Sequence, residues 1–476
     1  MLPPLIDRQR TNPKPGSREG GFTMALVTVA LVTIIAMAAL SIDIGTLYQA
    51  KAEAQRAADA AALTAARMIS VSGITGDPAN QSNSWQPICG GSSSAATLAA
   101  INIAQQNLIS GVAATSADVS VKYGGGSAGA TSTSCAGAGA AFGVNPVVTV
   151  TVTSGKLPIF FARVFTLFPH GTFSNTTAVA TATAEVFNSS NSASVAGSMI
   201  PVQPRCVKPL IIPNKDPNSG SGQPFVSLAT GAISNTGVSP TGAIGENFIL
   251  AANCRANRTN CYNGNYLGYP NAPASGGGTI RYLPALVQGT PVAVPSCANA
   301  NTFEEAIGGC DQSTVYACGT PLGAQADLTV NPIRPSSAAG DTGTALQCLT
   351  HATAEGLGNG QDQLETGSFP FQIQAGSDNP LVQDGLVSNN GIVTASSSII
   401  TLPIYDGANL QNGVQQPNVT IVGFLQVFVQ DLNPTFGPTR GDPVVYVLNV
   451  SGCSNNASNS PVTGTSPVPI RLITPP

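Results

Sequence analysis

Two histidines, ten cysteines and a few neighbouring acids are the residues best placed to do chemistry in this chain. His351 stands three residues after Cys348, the spacing of half a metal site, with no second pair close by in sequence. A disulfide cysteine beside an unrelated histidine accounts for that spacing. His170 follows Pro169 and reads as a surface residue. Glu304 and Glu305 are adjacent carboxylates. General acid–base work needs two acids facing one water-excluded cleft. Neighbours on a helix diverge by about 100°, so this pair reads as a solvated helix start over 303–307. Asp216-Pro217-Asn218-Ser219-Gly220 opens like a calcium loop but lacks the later acidic ligand, and reads as an Asx/Gly turn. The chain carries no phosphate-binding G-x-x-x-x-G-K-[ST] run and no G-x-S-x-G nucleophile elbow. No catalytic residue, metal or cofactor is expected, and the reading is of a non-enzyme.

The cysteines are Cys89, Cys135, Cys206, Cys254, Cys261, Cys297, Cys310, Cys318, Cys348 and Cys453. None forms a C-x-x-C pair, which weakens zinc and thioredoxin readings. An even, dispersed set in a loop-rich, lysine-poor chain fits disulfides in an oxidising compartment. Cys89 and Cys135 are the natural pair within one module. The other eight can pair in about 105 ways.

One stretch must position everything else. Phe22–Ile42 carries no charge; as a helix at about 1.5 Å per residue it spans roughly 31 Å, against a bilayer core of about 30 Å. Its threonines can bond within the helix. Before it, residues 1–21 form a short arm with Arg8, Arg10, Lys14 and Arg18. A positive flank stays cytoplasmic, so the C-terminal bulk is expected outside. A cleavable signal peptide is the alternative, with a small-x-small site at Ala36-Met37-Ala38. The apolar run continues through Leu40, Ile42 and Ile44 without a polar break, which favours a retained anchor.

Beyond Asp43 the helix becomes alanine-rich. Ala50, Ala54, Ala58, Ala62 and Ala66 repeat at i, i+4, with Ala57, Ala61 and Ala65 beside them. Such a smooth face lets another backbone approach; helix propensity alone is the plainer explanation. Lys51, Glu53, Arg56 and Asp59 are its polar members, and Arg56 and Asp59 are spaced to pair. Asp43 ends the apolar run, where a charge is costly unless it reaches the interface or a partner. It reads either as an anchor-edge residue or as a contact to a partner subunit.

The fold class expected is α+β. A transmembrane helix with an alanine-rich extension (22–69) leads into an extracytoplasmic α+β module (70–187). A polar linker (188–197) and a β-rich, disulfide-containing domain (198–476) follow. The first module shows a second helix over Ala95–Ile109, strands at Asp118–Tyr123, Val147–Thr153 and Thr177–Phe187, and a candidate amphipathic helix over Leu157–Phe168. The second opens on IPVQPRCVKPLIIPNKD, has a middle low in secondary-structure signal that carries most of the cysteines, and closes on strands at Ser398–Tyr405, Thr420–Val429 and Val444–Val450. Only 9% of the 476 residues are charged, and no Lys/Arg cluster lies beyond the first arm. No nucleic-acid surface is expected.

The apolar run ending in SIDIGTLYQAKAEAQRAADAAALTAA resembles the N-terminal segment of TadE/TadG-like proteins of the tight-adherence (Flp) pilus system. The matching marks are Asp43-Ile44-Gly45, Tyr48 and Ala58-Asp59-Ala60-Ala61-Ala62-Leu63. The module to about residue 187 is also similar, through Asn102 and Asn107, VVTVTVT, PIFFARVF and ATATAEV; the 402–429 stretch is a looser match. The resemblance implies an inner-membrane-anchored, pilin-like envelope protein that assists pilus assembly. It implies interaction residues at Asp43, Gly45, Tyr48 and Asp59 and along Ala50–Ala66, with lipid and other pilus or envelope proteins as partners and oligomers through the helix. Two features depart from the family. After Gly21 the fifth position holds Leu26 where a processed prepilin has glutamate, so a cut after Gly21 or after Ala38 is left open. Asp311-Gln312-Ser313-Thr314-Val315 lacks the second serine of a D-x-S-x-S metal site, so no von Willebrand A domain or metal is expected. The alternatives to an assembly role are a membrane-anchored adhesin using 198–476 and a tethered extracytoplasmic hydrolase.

Overall fold

The computed structural model describes residues 20–71, 86–155, 157, 161, 177–188, 202–252, 278–318, 325, 340–350, 360–406, 418–432, 443–453 and 462–473, a few short stretches inside these ranges excepted. Trp85, His170, His351, Cys254, Cys261, Cys297, the N-terminal arm, nearly all of the linker and most of Leu157–Phe168 lie outside the described residues.

Helix α1 (Gly20–Val71) runs unbroken for 52 residues, roughly 78 Å. No proline interrupts it, and alanine supplies its second half. Short α2 (Gln86–Cys89) and α3 (Ala95–Gln106) follow. Then come strands β1 (Val119–Gly125), β2 (Ala130–Ser132), β3 (Pro146–Thr153) and β4 (Val179–Val186). Strands are numbered in chain order to β16 (Ile470–Ile473), which joins this first sheet. Its order is β16-β4-β3-β1-β2, antiparallel throughout. Alternation decides its faces. Val148, Val150 and Val152 are buried in one core with the alanines of α1, and opposite them stand Ala184, Ala182 and Ala180. Between them fall the cross-strand hydroxyl pairs Thr149–Thr183 (2.9 Å) and Thr151–Thr181 (3.0 Å). Tyr123 closes the core edge-on to Phe142 and hydrogen-bonds Thr97 at 2.7 Å. A disulfide joins Cys89 to Cys135, Cα atoms 5.4 Å apart.

The second module holds β5 (Val202–Pro204), β6 (Leu210–Pro213), β7 (Asn247–Ala252), β8 (Thr279–Pro284), β9 (Gln363–Glu365), β10 (Gln372–Gln374), β11 (Ile392–Val393), β12 (Ile399–Asp406), β13 (Thr420–Leu432), β14 (Pro443–Gly452) and β15 (Val462–Gly464). A closed six-stranded barrel runs β12-β13-β14-β7-β8-β6. Closure removes the free edges that an open sheet would expose. Leu250, Tyr282, Leu402, Ile404, Leu425, Val427 and Val447 share its core. Helices α4 (Thr302–Gly308) and α5 (Gly340–Thr350) add Phe303, Ile307, Ala345 and Leu346 to the same cluster. Disulfides Cys206–Cys310 and Cys318–Cys453 tie loops to strand ends, and Cys348 on α5 is also disulfide-bonded.

Two expectations change. The middle of the second module, which looked poor in secondary structure, supplies two of the six barrel strands, NFILAA and TIRYLP. And β16, a strand not predicted from the sequence, lies in the span assigned to the second module yet completes the first sheet, with Ile470 opposite Val186 and Arg471 opposite Glu185. Polar contacts fasten this return. Ser70 Oγ donates to Val468 O at 2.7 Å, and Asn449 Nδ2 of β14 donates to Ser70 O. Asn188 Nδ2 donates to Val450 O at 3.2 Å, and Arg471 pairs with the fully buried Glu185.

Candidate functional site

The residues singled out by sequence lie along α1 and divide into three zones. From Phe22 to Ile42 no side chain is buried. Phe22 is 72% exposed and Ile34 62%. The hydroxyls on this surface bond backward within the helix: Thr28 Oγ1 donates to Met24 O (2.7 Å) and Thr33 Oγ1 to Ala30 O (2.8 Å). Those hydroxyls meet their hydrogen-bonding need without water, as a membrane-spanning surface requires.

Asp43 opens the second zone and is only 4% exposed. Its Oδ2 accepts the backbone N–H of Phe161 at 3.0 Å. The carboxylate that could have reached a partner subunit is thus engaged by its own chain. Gly45 and Tyr48 are different. Apart from its chain neighbours and the adjoining helix backbone, no atom comes within 4 Å of a Cβ built on Gly45, and Tyr48 is 74% exposed. The fold does not bring these two into its core.

In the third zone Ala50, Ala54, Ala57, Ala58, Ala61, Ala62, Ala65 and Ala66 are all fully buried, against the sheet and α3. The ladder therefore packs within its own module, where small side chains let sheet and helix backbones close together. The polar edge beside it is laced down. Lys51 Nζ donates to Val179 O, and Gln55 Nε2 to Thr181 O (3.2 Å) and to Asp59 Oδ1 (2.8 Å). Asp59 thus meets Gln55, where the spacing had suggested Arg56. Glu53 Oε2 accepts from Ser110 N at 2.6 Å. Sequence reasoning missed Phe161, Ser110 and Asn449, because each meets α1 through a backbone group or from a distant strand.

Elsewhere the acids are used structurally. Glu304 is 2% exposed, not solvated: its carboxylate accepts Asn301 N (2.7 Å) while Asn301 Oδ1 accepts Glu304 N (2.9 Å), a capping box. Asp216 Oδ1 accepts from Asn218 N (2.9 Å) and Ser219 N (3.3 Å), an Asx turn. Glu246 stands beside it, pushed up to about 7 by burial and then by the charge of Asp216. A polar cleft of about 190 Å³ lies between Gln203–Arg205 and Asp311–Val315. Asp311 itself is held by Ser313 N, Ser313 Oγ and Thr314 N at 2.9, 2.6 and 3.2 Å. Burial works to raise its pKa, and these hydrogen bonds outweigh it and hold the carboxyl low. Lys208, buried, drops to about 8 and donates to Gly309 O at 2.5 Å. Among the described residues no group of three or more His, Cys, Asp or Glu could hold a metal ion.

Taken together, these features define a mixed α+β protein hung from one N-terminal helix long and apolar enough to cross a membrane. Residues 20–68, all within α1, match the model of the Flp pilus-assembly TadE/G-like family. No curated protein and no solved structure matches the chain.

Proposed function

We propose that the chain is a single-pass envelope protein serving assembly of a Tad/Flp-type pilus or a related apparatus. Phe22–Ile42 is its anchor, the basic arm its cytoplasmic side, and the two modules its periplasmic or extracellular working parts. One observation carries the reading: the family match falls on a helix whose first half is bare and whose second half is built into a folded module. Pilin-like subunits need both, a span that lipid or neighbouring spans can cover and a head fixed rigidly to it. The role is non-catalytic, and the assembly partners are other pilus and envelope proteins. Tyr48 and the outer surface of Phe22–Ile42 are open to meet them, whereas the alanine ladder is already covered.

Protease added to spheroplasts tests the orientation. Residues beyond 70 should be digested and the N-terminal arm spared; a protected C-terminal part overturns it. Genes for a pilus ATPase and a prepilin peptidase beside this one support the assembly role. An adhesin role would appear as lost attachment with pili intact when the barrel is deleted. That deletion must keep 462–473, since removing 198–476 would strip β16 from the first sheet.

A further inference from the structure

The disulfides whose two cysteines are both described differ in their surroundings. Cys89 and Cys135 are buried in the core of the first module. Cys453 is buried in a cluster with Ile211 and Phe424, and Cys318 packs against it. Cys206 and Cys310 are only half-buried, and they belong to none of the apolar clusters among the described residues.

The backbone also sets this bridge apart. Cys206 has φ of 57°, in the left-handed region that a Cβ disfavours. Beyond the bridge both chains are anchored by contacts of their own. Val207 is buried, and Lys208 N donates to Thr401 O at 2.9 Å. Lys208 Nζ donates to Gly309 O, so the segment after Cys206 is tied to the segment before Cys310 without the sulfurs. Asp311, which follows Cys310, is fixed by Ser313 N and Thr314 N. Breaking the S–S bond would let Cys206 leave the left-handed region without unfolding the barrel.

Approach is open as well. The polar cleft is walled by Gln203, Pro204 and Arg205, which run up to Cys206, and by Asp311 and Gln312, which follow Cys310. The bridge lies where these two walls join. Arg205, exposed, and Lys208 flank Cys206 in the chain. Cationic neighbours stabilise a thiolate and make it the better leaving group.

We propose that Cys206–Cys310 is a thiol–disulfide exchange site, opened by an external dithiol while Cys89–Cys135 and Cys318–Cys453 stay closed. One thiolate of the dithiol attacks Cys310 Sγ. A mixed disulfide forms there as the Cys206–Cys310 bond breaks, and Cys206 leaves as a thiolate that takes up a proton. The second sulfur of the dithiol then attacks the first and releases Cys310 as a thiol. The dithiol ends as a disulfide, having given two electrons and two protons to the two cysteines. Half-exposed, strained bridges are the labile ones. With this covalent tie gone the walls can part, so the bridge controls the width of the cleft.

The test uses the full chain in detergent micelles under native conditions, with dithiothreitol as the probe. Aliquots are blocked with N-ethylmaleimide, and labelled cysteines are assigned by mass spectrometry. Cys206 and Cys310 should be labelled together, about tenfold faster or more than Cys89, Cys135, Cys318 and Cys453. Labelling of all six at one rate, or of this pair last, overturns the proposal. So does labelling that accompanies loss of the circular dichroism signal, because the bridge would then open only on unfolding. Reduced glutathione in place of the dithiol should leave its mixed disulfide on Cys310; an adduct on Cys206 overturns the order of attack. Hydrogen exchange over 203–205 and 311–315 should rise once the bridge is open, and unchanged exchange there overturns its control of the cleft.

Discussion

The two halves of α1 share one backbone and follow opposite side-chain rules. Before Ile44 the large aliphatics stand bare; from Ala50 to Ala66 every buried position is alanine. In a helix packed in a water-soluble protein the large residues face inward. Here no side chain of the outer half is buried among the described residues, and its bulk suits hydrocarbon. The inner half lies against a sheet, and methyl groups leave room for close approach. Apolar character is common to both halves, so it does not reveal which one is core. Side-chain volume does.

The sharpest way to break this contrast is to exchange the rules. Ile34→Arg should cost about 2.5–3.5 kcal/mol of membrane insertion and leave folding of the first module unchanged; carbonate extraction and circular dichroism separate the two. Ala58→Leu should do the reverse, overpacking the sheet by about 1–3 kcal/mol, seen as a lower Tm with membrane level intact. Equal insensitivity of Ala58→Leu and Lys51→Leu would mean the ladder reflects propensity alone. A pH titration separates the helix from the second module. The folded pKa of Glu246, about 7, lies above the unfolded value, so its stabilisation is full below about 4.5 and is lost as pH rises through 7. Denaturant unfolding should show the second module weaker at pH 8 than at pH 5, on the order of 2 kcal/mol. Glu246→Gln should flatten that dependence while leaving the first module's response alone. The smallest effect tests where the inner half ends: Ser70→Ala removes one bond to Val468 and should cost about 1 kcal/mol, read by chemical denaturation.

Much of this organisation was legible locally. The uncharged run, the alanine spacing and the alternation in VVTVTVT and ATATAEV each state a period, and the periods match helix and strand. The long closing strands were legible for the same reason. What escaped was non-local or short. IRLI is four residues, too few to show which sheet it joins. The barrel strands near 210, 249 and 281 are brief apolar runs, two of them ending in proline. Glu304 was misjudged because adjacency shows direction around a helix and not depth. Asp43 found its partner in a backbone N–H at Phe161, which no side-chain pattern encodes.

The return of β16 to the first sheet also sets a clock. β4 ends at Val186 and its outer neighbour begins at Ile470. At ribosomal speeds of about 5–20 residues per second, tens of seconds separate their emergence. Through that interval the outer edge of β4 waits without its neighbouring strand while the barrel is still being delivered. An open strand edge invites pairing with other chains, so synthesis of this protein calls for a holding chaperone, or for a speed of completion that outruns aggregation.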